Sequence, residues 1–169
     1  MKVLGIDPGY GRCGWACLEK ESNNSNNVSL VELGTINTSK DAAPIDRLWE
    51  IYKSTLKLIE KFKPDAIAIE ELHEPHGVRR ISTLLKNAEV RGALFIAARE
   101  TNVDVDTVHP LTAKSMIALN GRASKQEVQK FLMRILKTDL KTRYDDAWDA
   151  AAIAFVYLSC SGLKKAIKI

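Results

Sequence analysis

Short apolar runs alternate with amphipathic stretches along this chain, and the alternation predicts most of its elements. Val3, Leu4 and Ile6 make a brief apolar run closed by Asp7, with the length of a buried strand. Pro8-Gly9-Tyr10-Gly11 reads as a turn, residues 13–18 as a second strand and residues 28–38 as a third, with a polar, Asn-rich hairpin tip at 22–27. Ile45, Leu48, Trp49, Tyr52, Leu56, Ile59 and Phe62 then recur with helical period until Pro64. Residues 65–70 predict a fourth strand, closed by Glu70. The polar stretch 71–80 interrupts the pattern, residues 81–100 predict a helix and residues 103–108 a fifth strand. Three further helices are expected near 111–119, 125–137 and 145–160.

Strands one to three are expected to form an antiparallel meander, and strands four and five, which follow crossover helices, to run parallel to strand one. The fold class is therefore α/β: a five-stranded mixed sheet, a three-strand meander plus two parallel strands, with helices on both faces. In that arrangement Asp7 and Glu70 lie at the carboxyl ends of neighbouring parallel strands, where open α/β sheets place their sites. We expect one domain over residues 1–160 and a short basic tail at 161–169, without internal repeat or linker.

Composition narrows the class. No apolar stretch is long enough to span a bilayer, and Met1-Lys2 leads straight into a strand, so a cytoplasmic location without membrane contact is expected. Cys13 and Cys17 lack metal-ligand spacing and read, with Cys160, as reduced thiols. The net charge of +4 is unevenly spread. Residues 1–70 carry 9 basic and 10 acidic side chains, a balance of −1, whereas 71–169 carry 16 and 11, a balance of +5. Between Lys114 and Arg143 there are 8 basic residues and 2 acidic ones, which suits a polyanionic substrate as well as a solvated helix face.

The candidate chemistry is carboxylate chemistry. Asp146 and Asp149 are three apart in a helical stretch and share a face. Acids near a helix N-terminus also complement its dipole, which accounts for Asp145 and Asp146 but not for Asp149, set against the apolar run 150–155. Asp7, Glu70, Asp146 and Asp149 together would make an oxygen cage for Mg²⁺. Further along, Ser124 with Glu127 is a capping box, so a helix starts at Lys125, whose charge joins a phosphate-binding N-terminus. Val128, Phe131, Leu132, Ile135 and Leu136 are expected to face the core. His73-Glu74-Pro75-His76 resembles a metal cluster, but Pro75 rules out the helix of a zinc hydrolase. Gly9, Gly11 and Gly14 fail as a dinucleotide loop because no helix opens after them.

Four segments, Gly5-Ile6-Asp7-Pro8-Gly9, Ala68-Ile69-Glu70, Gly121-Arg122-Ala123-Ser124-Lys125 and Asp146-Ala147-Trp148-Asp149-Ala150, occur in an order that resembles the RuvC family of Holliday-junction resolvases, within the ribonuclease H-like superfamily. The resemblance spans nearly the whole chain. It implies a structure-specific endonuclease, a hydrolase of DNA recombination and repair that cuts four-way junctions symmetrically. Asp7, Glu70, Asp146 and Asp149 would be the catalytic metal ligands, holding two Mg²⁺ per subunit, with Mn²⁺ as the alternative. Lys114, Lys125 and Arg122 would contact DNA. His73 stands where family members carry a Phe that stacks on junction bases. A homodimer is implied, with the small residues Ala88, Gly92, Ala93 and Ala97 as candidate interface, and so is partnership with the RuvA–RuvB branch-migration complex.

Three other readings share parts of this pattern. A related nuclease acting on structured RNA or an RNA–DNA hybrid would use the same acids. A sugar-kinase or actin-like ATPase would need two such domains. A junction-binding protein without catalysis would not need the intact carboxylate set.

Overall fold

The computed structural model describes residues 1–21, 27–72, 78–120, 122–140 and 145–167. Strands β1 (Lys2–Asp7), β2 (Arg12–Lys20) and β3 (Val28–Asn37) are followed by helix α1 (Pro44–Phe62), strand β4 (Ala66–Glu70), helix α2 (Val78–Glu100) and strand β5 (Asp104–Val108). Helices α3 (Pro110–Ala118), α4 (Lys125–Ile135) and α5 (Asp145–Ile167) come last. The five strands form one sheet in the order β3-β2-β1-β4-β5, antiparallel across the meander and parallel from β1 to β4 to β5. The expected mixed sheet is what forms.

The pleat sorts the core. Val3, Ala16, Leu18 and Ala68 point to one face, where they pack with α3, α4 and α5. Leu4, Ile6, Trp15, Ile67 and Ile69 point to the other, against α1 and α2. Because side chains alternate along a strand, Asp7 shares the face of Val3, and Glu70 shares that of Ala68. Both acids therefore project toward α5.

Helix α5 lies unusually close to the sheet. A Cβ added at Gly5 would stand 2.2 Å from the carbonyl oxygen of Ala150, and one at Gly14 would stand 2.0 Å from that of Asp146. No side chain but hydrogen fits at either position. The helix contributes Ala147, Ala150, Ala151 and Ala154 to this contact, all buried. Glycines on the strands and alanines on the helix are thus what brings Asp146 and Asp149 down to the level of Asp7.

Helix ends follow local chemistry. Helix α1 opens with Pro44 and closes at Lys63, in the left-handed region at φ 47°, before Pro64. The capping box at Ser124 and Glu127 forms as expected. Two expectations are corrected. Helix α5 continues to Ile167, past the expected end near residue 160, since Leu163, Lys164, Lys165 and Ala166 favour helix and no proline interrupts it. On α4 only Val128, Leu132 and Leu136 are buried, while Phe131 and Ile135 stay about 40% exposed because α4 meets its neighbours along a narrower stripe. The expected hairpin tip at 22–26 and the segment 73–77 lie outside the described residues.

Candidate metal centre

Asp7 ends β1, and Asp146 and Asp149 occupy the first two turns of α5. One carboxylate oxygen from each of the three lies within 4.8 Å of the others, and all three side chains are partly buried. Glu70, at the end of β4, stands beside this triad rather than within it. Its charge reaches Asp7 nonetheless. Burial pushes the Asp7 carboxyl well above the usual range, and Glu70, Asp149 and Asp146 push it further, while Lys125 acts the other way. Asp149 is also raised by burial, against the pull of Lys125. Carboxylates held this close repel one another, and a cation relieves the repulsion. Oxygen donors without sulfur or imidazole suit a hard divalent ion such as Mg²⁺ or Mn²⁺, so the residues fit the metal that the sequence implies.

Two cations already touch the cluster. Lys125 Nζ donates to Asp149 Oδ2. Burial works against the charge on Lys125, but Asp149, Asp7 and Asp146 outweigh it and raise its pKa. Arg12, at the start of β2, donates from one guanidinium nitrogen to Asp146 at 3.2 Å and from Nε to Asn37 at 3.2 Å. Arg12 did not figure among the residues singled out from sequence, because its partner lies on the last helix. The same holds for Arg91 of α2, whose guanidinium donates to the backbone carbonyl of Glu70. Neither pairing leaves a signature in local spacing.

The remaining predicted residues fall in different places. Lys114 of α3 and Lys125 of α4 line one cleft of about 70 Å³ together with Asp149, so two of the three predicted DNA-contacting cations border the acid cluster. Arg122 is exposed, does not line that cleft, and has its backbone N–H on Asn120 Oδ1 at 2.9 Å. His73 lies outside the described residues. Cys13 and Cys17 are buried, and burial pushes their thiols up to about 12 and about 11, which leaves them unreactive at neutral pH.

The small-residue stripe of α2 divides. Ala97 is buried in the core, whereas Gly92 and Ala93 line a groove of about 440 Å³ between α1 and α2 with Ile45, Trp49 and Ile96. Ile45 is 72% exposed, Trp49 56% and Ile96 62%, an apolar surface that a single chain leaves uncovered. Among the described residues, no helix is long and apolar enough to cross a membrane.

Residues 3–157 match the family model for crossover junction endodeoxyribonuclease RuvC. Over 157 residues the chain is 39% identical to the crossover junction endodeoxyribonuclease RuvC of Thermotoga petrophila, covering 93% of this chain and 92% of that one. It is 36% identical to the Thermosipho melanesiensis protein of the same name, covering 92% and 95%. A solved structure of T. thermophilus RuvC in complex with a Holliday junction substrate superposes with a TM-score of 0.87 at 27% identity, covering 97% of this chain and 96% of that one.

Proposed function

The chain belongs to the RuvC family of crossover junction endodeoxyribonucleases, and from that footing we propose that it resolves four-way DNA junctions as a homodimer, nicking two opposed strands by Mg²⁺-dependent hydrolysis. The observation that carries this reading is the approach of Asp7, Asp146 and Asp149 to within 4.8 Å, with Glu70 on the neighbouring strand. These four side chains would hold two Mg²⁺, or Mn²⁺ in their place. When bound there, the ions supply Lewis acidity for in-line hydrolysis of a phosphodiester.

The chain's own residues do the rest. Lys125 exchanges its contact with Asp149 for a backbone phosphate, and Lys114, on the same cleft, holds a neighbouring one. Helix α4 adds its free N–H groups at that point. Arg122, exposed just before α4, contacts the backbone further out. His73, three residues beyond Glu70, offers an imidazole on which a junction base stacks.

A four-way junction has two-fold symmetry, so two copies related by a two-fold axis present one site to each of two opposed strands. The groove between α1 and α2 is the surface we assign to that contact. We further place the protein in the cytoplasm, working with the RuvA–RuvB complex that delivers junctions.

The test is cleavage of a synthetic mobile four-way junction with Mg²⁺, run beside an RNA–DNA hybrid and a structured RNA. Paired, symmetric nicks in the junction alone are expected. Preferential cleavage of hybrid or RNA would overturn the assignment in favour of a related nuclease.

A further inference from the structure

The peptide unit that follows Glu70 is held at both of its polar ends. Its N–H, that of Glu71, donates to the carbonyl of Val108 on β5 at 2.9 Å. Its carbonyl, that of Glu70, points the opposite way, toward β1, because the N–H and C=O bonds of a trans peptide point in opposite directions. In the parallel pairing of β1 with β4, Gly5 is opposite Ala68 and Ile6 opposite Ile69. One step further sets Asp7 opposite Glu70, and the N–H that would complete the ladder to the Glu70 carbonyl belongs to residue 8. Residue 8 is proline, which has none.

The guanidinium of Arg91 takes that place, donating from α2 to the Glu70 carbonyl. Its position is itself braced, with the guanidinium carbon 5.2 Å from the centre of the Phe95 ring one helical turn on. Partial burial works against its charge and lowers its pKa, while the carboxylates of Glu71 and Glu70 act the other way. We infer that Arg91 is a positioning residue: it replaces the ladder donor lost at Pro8 and so fixes the backbone from which Glu70 reaches the Asp7 cluster. The inference rests on the reading of Glu70 as a metal ligand. Arg91 touches neither metal nor DNA in this role; it acts through Glu70.

Residues that orient metal ligands from behind are worth about 10–100-fold in metal affinity or activity. The experiment compares wild type, Arg91→Met, Arg91→Lys and Glu70→Gln. Mn²⁺ binding is followed by electron paramagnetic resonance, junction affinity is measured in EDTA, and junction cleavage is measured under single-turnover conditions. Arg91→Met is expected to weaken Mn²⁺ binding and slow cleavage by about 10–100-fold, with junction affinity and its salt dependence unchanged. Arg91→Lys, which keeps the charge and a donor, is expected to fall between. Adding Pro8→Ala to Arg91→Met restores a ladder N–H and is expected to recover part of the Mn²⁺ affinity.

Wild-type Mn²⁺ binding in a folded Arg91→Met protein would overturn the inference, and so would a loss of junction affinity parallel to the loss of rate, which would make Arg91 a DNA contact. If Glu70→Gln itself cleaves and binds Mn²⁺ like wild type, the assignment of Glu70 fails first. If Glu70→Gln is inactive while Arg91→Met behaves as wild type, only the role of Arg91 fails.

Discussion

The guanidinium of Arg12 lies 3.2 Å from the carboxylate of Asp146, joining the second strand to the last helix across the acid cluster. In the metal-free protein this contact offsets part of the repulsion among the acids. Both side chains are partly exposed, so the pair contributes under about 1 kcal/mol. Arg12→Ala should therefore lower the Tm of EDTA-treated protein by no more than about 2–4 °C. Saturating Mg²⁺ should close the gap to wild type, and calorimetry with and without the ion measures both values. A deficit that persists in Mg²⁺ would mean that Arg12 braces the fold rather than the charge.

Asp7→Asn, Glu70→Gln, Asp146→Asn and Asp149→Asn should each remove junction cleavage while leaving junction binding intact or tighter, since each subtracts a negative charge near DNA. A gel assay in EDTA reads binding, and single-turnover cleavage in Mg²⁺ reads the reaction.

The raised pKa of Asp7 makes metal-free stability depend on pH. Its carboxyl is favoured in the protonated form by burial and by Glu70 and Asp149. That contribution is fully present below the unfolded value of about 3.9 and is lost as pH rises through the higher folded value. Asp7→Asn keeps a neutral side chain at every pH. In EDTA, the mutant and wild type should melt together near pH 4 and separate toward neutrality, the mutant becoming the more stable. Thermal melts at a series of pH values test the sign.

Lys114→Ala and Lys125→Ala should weaken binding to junctions of every sequence, because phosphate contacts position rather than specify. Each lost contact should reduce the log–log salt slope by about 0.9. Titrations between low and moderate salt distinguish this from a solvated helix face, for which the slope does not change.

Gly92→Leu should separate assembly from folding. A Cβ at Gly92 meets nothing within 4 Å, so the larger side chain fits the single chain and enters the groove between α1 and α2. Replacing a helical glycine even favours α2 by up to about 1 kcal/mol. Light scattering is expected to show wild-type dimers and a well-folded monomeric variant whose nicks in opposed strands are no longer paired.

Much of this was legible in the residues themselves. The crossover helices set Asp7 and Glu70 at the carboxyl ends of neighbouring parallel strands, and the i,i+3 spacing of Asp146 and Asp149 put both on one face of α5. The capping box announced the start of α4. What was not legible depends on approach between distant elements. Gly5 and Gly14 read as turn or strand residues until Ala150 and Asp146 are seen against them. Arg12 and Arg91 carry no local signature because their partners are a side chain on α5 and a carbonyl on β4. Phe131 and Ile135 obey the helical period of α4 yet remain exposed, since periodicity marks a face without fixing how much of it is covered.

The acids that meet at this centre enter the chain at widely separated times. Asp7 and Glu70 belong to strands finished by residue 70, whereas Asp146 and Asp149 ride on α5, which begins only at Asp145. A nascent chain, or one cut short before that helix, can pair its strands but has nothing to set against Asp7. If Asp7, Asp146 and Asp149 hold the metals as proposed, a copy that stops before α5 cuts no DNA. On the proposed assignment, the order of elements delays completion of the centre during synthesis until the start of α5 has been joined.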